Sequence, residues 1–189
     1  MLKLSLRAQS LKPSPTLALA AKAKELTSQG KDVISLTVGE PDWDTFLEVK
    51  EAAISAIQSG QTKYAPANGI PELRQIIAEK TSQQLGVPYK AQDVTVSAGG
   101  KMVLFAALQV LCDPNDEVLI PAPFWVSYPT MVELAGATAK IVLCEREQSF
   151  KITAPQLRES LNKKTKVFIL NSPSNPTGEM YTAQELAAL

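Results

Sequence analysis

Histidine is missing from this sequence altogether, and its 189 residues include only two cysteines, Cys112 and Cys144. Without histidine the chain cannot assemble a Ser-His-Asp or Cys-His nucleophile, an HExxH zinc site or a histidine-containing facial triad. Two cysteines are too few for a disulfide framework or a four-cysteine metal centre. Both lie beside apolar runs, so buried free thiols are expected, which suits a reducing compartment. Net charge is missing too, since 19 Lys+Arg balance 19 Asp+Glu. That removes the electrostatic reason to expect nucleic acid or an anionic membrane as a partner. No apolar run approaches the roughly 18 residues of a membrane span. What remains, 45% hydrophobic and 20% charged residues, is a globular composition of a length that can bury a core.

The two ends read differently. No acidic residue precedes Glu25, while Lys3, Arg7, Lys12, Lys22 and Lys24 are basic. A single arginine and the short apolar stretch Leu17–Ala21 argue against a cleaved presequence. At the other end, Thr182 followed by Glu185 forms a capping box that starts a helix, and Leu186 and Leu189 open its apolar stripe. The chain stops about two turns into that helix without a C-cap signal, so truncation is expected.

Between the ends, strand-like and helix-like segments alternate. Val33–Val38 is a short strand-like run, and Leu47–Ser59 carries apolar residues at helical spacing before Gly60. Pro71 opens a helix that ends near Gly86. Val94–Val96 reads as a strand and Lys101–Leu111 as a very apolar, buried helix. The strand Glu117–Ile120, an aromatic-rich helix around Trp125 to Ala135, and the strand Ala139–Leu143 follow. Pro155–Leu161 then reads as a short helix, Lys166–Leu170 as a strand, and a last helix begins near Ala183. Such alternation with near-continuous apolar strands predicts an α/β fold with a mostly parallel sheet covered by helices on both faces. The first forty or so residues fit this alternation poorly. Residues 1–45 are expected to form an N-terminal arm contributing to a small domain, and 46–189 an incomplete large domain.

In such sheets ligands bind beyond the carboxyl ends of the strands. Gly99-Gly100-Lys101 follows Val94–Val96 and opens a helix. It is either an anion cradle at a helix N-terminus or a tight turn that needs glycine. The Walker and GxGxxG patterns both fail there. Pro123-Phe124-Trp125-Val126-Ser127-Tyr128-Pro129 follows the next strand and offers either a flat aromatic face or a hydrophobic cluster on the sheet. Asn171-Ser172-Pro173-Ser174-Asn175-Pro176-Thr177-Gly178 is a stiff polar loop, able to aim an amide at a ligand or simply to turn. Val38-Gly39-Glu40-Pro41-Asp42 offers the Gly39 N–H to an anion, or turns. Tyr64-Ala65-Pro66 and Asn68-Gly69-Ile70-Pro71-Glu72-Leu73-Arg74 read only as a turn leading into a helix.

Taken together and in their order along the chain, these five segments resemble the class I/II, fold-type I aminotransferases that depend on pyridoxal phosphate, and among them the bacterial aspartate aminotransferases, including the aspartate/prephenate type. The resemblance runs essentially end to end. It implies the fold-type I large domain, with the cofactor phosphate on Gly99, Gly100 and Lys101, and Trp125 stacked on the pyridine ring. Asn175 would donate to the ring's phenolic oxygen and help hold the substrate carboxylate, and Gly39 would offer its N–H to that carboxylate. Tyr64 would reach across a homodimer interface to the partner's cofactor phosphate, giving shared active sites. Lys12, in Leu11-Lys12-Pro13-Ser14-Pro15-Thr16, resembles the segment that closes over substrate, or is a solvated lysine.

The implied reaction is ping-pong transamination between an L-amino acid, with aspartate foremost, and 2-oxoglutarate, in a cytoplasmic enzyme of amino-acid biosynthesis. The lysine that carries the cofactor is not matched by Lys101, Lys140, Lys151, Lys163, Lys164 or Lys166. The resemblance places it beyond Leu189, so no catalytic residue is expected in this chain and no metal site. The chain alone is expected to be inactive. Two other readings stand beside this one: another activity of the same fold type, a carbon–sulfur β-lyase or an aminocyclopropane-carboxylate synthase-like enzyme, or a non-catalytic aminotransferase-like module.

Overall fold

The structure is a computed structural model that describes residues 3–11, 15–37, 39 and 41–189. Its described elements run, in order, α1 (Leu6–Ser10), α2 (Pro15–Ser28), α3 (Leu47–Gln58), α4 (Pro71–Leu85), α5 (Gly100–Leu111), β1 (Glu117–Ala122), α6 (Ser127–Leu134), β2 (Thr138–Leu143), α7 (Ala154–Ser160), β3 (Thr165–Phe168) and α8 (Ala183–Ala188). The chain divides into two compact units, residues 13–98 and residues 99–189 together with 1–12.

The core of the second of these is a three-stranded sheet in the order β2-β1-β3, parallel throughout. Its central strand shows why the alternation predicted a helix-covered sheet. Successive side chains of a strand point to opposite faces. Val118 and Ile120 pack with Leu108 of α5 and with Tyr128, Met131 and Val132 of α6. Leu119 points the other way, onto Cys144, Ile152 and Leu157 of α7. Val118, Leu119 and Ile120 are all fully buried, a burial worth roughly 1.5–3 kcal/mol for each side chain. Cys112 and Cys144 are free and buried, as expected, and burial pushes both thiols above their ordinary range.

The helix starts follow from local chemistry. In α8 the Thr182 hydroxyl accepts from the Glu185 N–H at 3.2 Å, while the Thr182 N–H donates to the Glu185 carboxylate at 2.7 Å. The same reciprocal pair, Thr153 with Gln156, opens α7 around Pro155.

Three expectations need correction. Residues 33–37 and 94–96 form no strand, although Val94 has an extended backbone. A strand needs a ladder partner as well as β-branched residues, and neither run has one among the described residues. Lys101–Leu111 was expected to be buried, yet in α5 only Leu108 is; Val110 is 84% exposed. The 166–170 strand is shorter than its apolar run, because β3 ends at Phe168 and Ile169 adds a single N–H bond to the Leu119 carbonyl.

In the 13–98 unit the clearest organised feature surrounds α4. Arg74 donates from Nε to the Val94 carbonyl at 2.8 Å. The Asn68 amide oxygen, turned toward Arg74, accepts from both terminal guanidinium nitrogens, and the Asn68 carbonyl accepts from the Val96 N–H. Gly69 has φ +100°, and a Cβ there would lie 2.8 Å from the Val96 Cβ. Only glycine fits such a position. The Asn68-Gly69…Arg74 segment therefore does more than turn into a helix, since it ties down Val94 and Val96.

Candidate functional site

Because β1 and β3 run parallel, the segments leaving them emerge at the same end of the sheet, where ligands bind in open α/β folds. Trp125 lies just past β1, on the approach to α6. Its half-buried ring meets Tyr128 edge-on, at 5.4 Å between centroids and 89° between planes, because a spacing of three stacks two side chains on one face of a helical turn. Lys101, in the first turn of α5, holds its Nζ 4.9 Å from the centre of the Trp125 ring, a cation–π distance. Gly99 caps α5 with φ +83° and no side-chain acceptor. The first N–H groups of a twelve-residue helix are thus left without a side-chain cap, the arrangement that favours an anion. A Cβ at Gly99 or Gly100 would meet nothing within 4 Å, so the cradle is open.

The loop leaving β3 is held at several points. The Tyr128 hydroxyl donates to Asn171 Oδ1 at 2.9 Å, and Asn171 Nδ2 donates to the Pro173 carbonyl at 2.6 Å. The Ser174 N–H bonds the Glu179 carbonyl and the Gly178 N–H bonds the Ser174 carbonyl, both at 2.8 Å, closing the turn that carries Asn175. Ser172 Oγ accepts from the Tyr181 N–H. The Asn175 side chain is exposed and its amide has no partner among the described residues; it lines a cleft with Pro123, Phe124, Tyr128 and Asn171. Lys151 reaches the same cleft, but its amine is held by Glu185 Oε1 at 2.6 Å and lies 5.7 Å from the Tyr181 ring.

Of the residues singled out from the sequence, Gly99, Gly100, Lys101, Trp125 and Asn175 fall in the 99–189 unit. Lys101 meets Trp125, and Tyr128 touches both Trp125 and the asparagine loop. Gly39 and Tyr64 belong to the 13–98 unit and are exposed, Tyr64 completely. Lys12 lies outside the described residues. Sequence reasoning assigned no role to Tyr128 or Asn171. The three-residue spacing from Trp125 to Tyr128 was the available signal for the first, and nothing local marks the second. Among the described residues no group of histidine, cysteine or carboxylate side chains could hold a metal ion. Among the described residues no helix is long and apolar enough to cross a membrane.

An anion cradle, an aromatic face and a free amide gathered at the carboxyl end of a parallel sheet suit a phosphorylated planar ligand. The sequence pattern of the family "Aminotransferase class I and II" matches residues 31–189. The chain belongs to the class I and II aminotransferases. Within this aminotransferase family, it is 52% identical over 179 residues to an aspartate/prephenate aminotransferase of Cereibacter sphaeroides, covering 95% of this chain and 45% of that protein. It is 47% identical over 188 residues to an aspartate aminotransferase of Bacillus subtilis, covering 100% of this chain and 48% of that one. Among solved structures, the aspartate aminotransferase of Thermus thermophilus with maleate superposes with a TM-score of 0.95 at 46% identity, over 100% of this chain and 49% of that one. The aminotransferase chain described here thus spans about half the length of the curated relatives it matches.

Proposed function

We propose that this chain is the phosphate- and ring-binding half of a longer pyridoxal-phosphate-dependent aminotransferase, acting between L-aspartate and 2-oxoglutarate. The observation that carries this reading is the contact of Lys101 with Trp125 beside the open, glycine-capped N-terminus of α5. A phosphate and an aromatic ring are thereby offered neighbouring sites, and the donor set fits the cofactor. When bound, pyridoxal phosphate supplies the electron sink that makes the substrate's Cα–H acidic.

The chain's own residues have binding and orienting roles. The N–H groups of Gly99, Gly100 and Lys101 hold the phosphate dianion, and the Lys101 charge adds to the helix dipole. Trp125 covers one face of the ring, and its edge contact with Tyr128 resists tilting. Asn175 donates its free amide to the ring's phenolic oxygen and contacts the substrate carboxylate. Gly39 gives its N–H to the α-carboxylate, and Tyr64 serves the phosphate of the partner in a cytoplasmic homodimer. Lys12 is assigned to closure over substrate on its sequence context alone. The lysine that would carry the cofactor is assigned to the rest of the protein; Lys151, though it lines the cleft, is committed to Glu185. Residues 1–45 are assigned to the small domain and 46–189 to the large one.

Oxaloacetate formation from aspartate by the full-length protein, dependent on added 2-oxoglutarate, tests this reading. Keto-acid-dependent turnover is expected. Release of pyruvate and ammonia from cystathionine without a keto acid would replace the proposal with a β-lyase, and silence in both assays would favour a non-catalytic module.

A further inference from the structure

We infer that Tyr128 is a positioning residue that sets the aim of Asn175 through Asn171, an inference that rests on the function proposed above. Tyr128 is 7% exposed and occupies the first turn of α6, in a T-shaped contact with Trp125. Its hydroxyl makes the one hydrogen bond, among the described residues, between segment 121–134 and loop 171–178. That bond spans 43 positions of sequence at 2.9 Å. It also decides which way the Asn171 amide faces. A tyrosine hydroxyl that donates requires an oxygen, so the nitrogen is left to bond the Pro173 carbonyl at 2.6 Å. From Pro173 the chain enters the hydrogen-bonded turn Ser174–Gly178, which carries Asn175.

The sequence of contacts is therefore Trp125, Tyr128, Asn171, the turn, and Asn175. One side chain abuts the aromatic that would face the ring and steers the amide that would address the ring's oxygen. Burial holds the phenol above its ordinary range, so it remains a donor at neutral and mildly alkaline pH. Packing alone would call for a phenylalanine at this depth, whereas the hydroxyl is needed for the loop. Removing it leaves Asn171 Oδ1 half-buried without its donor and lets the amide rotate.

The test uses the full-length protein loaded with pyridoxal phosphate and follows the absorbance of the bound cofactor against pH. An amide donating to the phenolic oxygen withdraws electron density from it and lowers the affinity of that site for its shared proton. Loosening the amide raises the pH midpoint. Asn175→Ala is expected to raise it most. Tyr128→Phe should raise it by about half a pH unit or more while the apo-protein's melting temperature changes little. Asn171→Ala, which leaves the tyrosine in place, should produce a shift similar to that of Tyr128→Phe. The Tyr128→Phe/Asn175→Ala double variant should shift no further than Asn175→Ala, because the two act in one line. A wild-type midpoint in both Tyr128→Phe and Asn171→Ala, with Asn175→Ala shifted, overturns the inference and leaves the proposed function standing. Failure of the wild-type protein to take up the cofactor, or no shift in Asn175→Ala, overturns the function reading and the inference with it.

Discussion

The unit around residues 99–189 and the unit formed by residues 13–98 both carry apolar runs at regular spacing, yet use them very differently. Among the described residues every buried hydrophobic side chain except Ala78 lies in the former. In the latter, α3 has no buried residue at all, and Ile34, Leu36, Trp43 and Phe46 stand open to solvent, Leu36 at 92%. Yet Val49, Ala53, Ala56 and Ile57 follow helical spacing as regularly as anything in α6. Hydrophobic periodicity records the surface that an element is selected to bury in its working assembly. It does not say whether the covering atoms belong to the same stretch of chain. Apolar side chains left open along such a face are the material of an interaction surface. On the function proposed here, the rest of the longer protein and a second subunit cover it.

The largest effects should sharpen this contrast. Leu119→Ala, in the fully buried centre of β1, is expected to destabilise the chain by about 2–5 kcal/mol in denaturant unfolding. Leu36→Ala, at a site 92% exposed, should change it by less than about 0.5 kcal/mol. Equal losses at the two sites would erase the distinction.

Gly69→Ala tests whether the 13–98 unit has a fixed interior of its own. The new methyl would meet Val96 at 2.8 Å in a left-handed backbone, so a loss of about 2 kcal/mol is expected. Gly60→Ala shares the positive φ, +78°, but has open space around it, and should cost about 1 kcal/mol. Similar losses for the two glycines would mean that the Asn68–Arg74–Val96 arrangement does not persist in solution.

Smaller still is a chemical readout. With both thiols buried and their ionisation pushed up, Cys112 and Cys144 should react with a thiol reagent at pH 8 much more slowly than in urea-unfolded chain. Rapid labelling in native buffer would show that the sheet unit opens readily.

The smallest effect concerns α8. Its Glu185 carboxylate is held below the ordinary value of 4.5, first by the hydrogen bond from Lys151 and then by the Thr182 N–H. A depressed carboxylate contributes its stability above its unfolded pKa and loses it as pH falls through the folded one. The wild-type advantage over Glu185→Gln in melting temperature should thus be constant from pH 7 to about 5.5 and shrink on further acidification. An advantage that grows toward pH 4 would reverse the assignment.

These contrasts also show what was legible in the residues. Features fixed by near neighbours could be read directly: the Thr182–Glu185 box, the proline-opened α7, the parallel α/β alternation, and the glycine turn at Gly99. Of the residues proposed to hold the cofactor, Trp125 and Asn175 stand in short segments just past β1 and β3, where the sequence alternation already pointed. Features that depend on distant partners were not. The runs 33–37 and 94–96 have strand-like residues but no ladder neighbour among the described residues, and α5 has a core-like composition with only Leu108 buried. The reason for Gly69 lies in the position of Val96, and the significance of Tyr128 lies in Asn171, across the sheet end. Neither contact leaves a local pattern in the sequence.

The most direct measurement compares the 189-residue chain with the full-length protein in a single assay, consumption of aspartate in the presence of pyridoxal phosphate and 2-oxoglutarate. Turnover is predicted for the full-length protein alone, because on the function proposed this chain only holds the cofactor, and Lys151, the one described lysine lining the cleft, is paired with Glu185. Sustained keto-acid-dependent turnover by the purified 189-residue chain would contradict that division of labour.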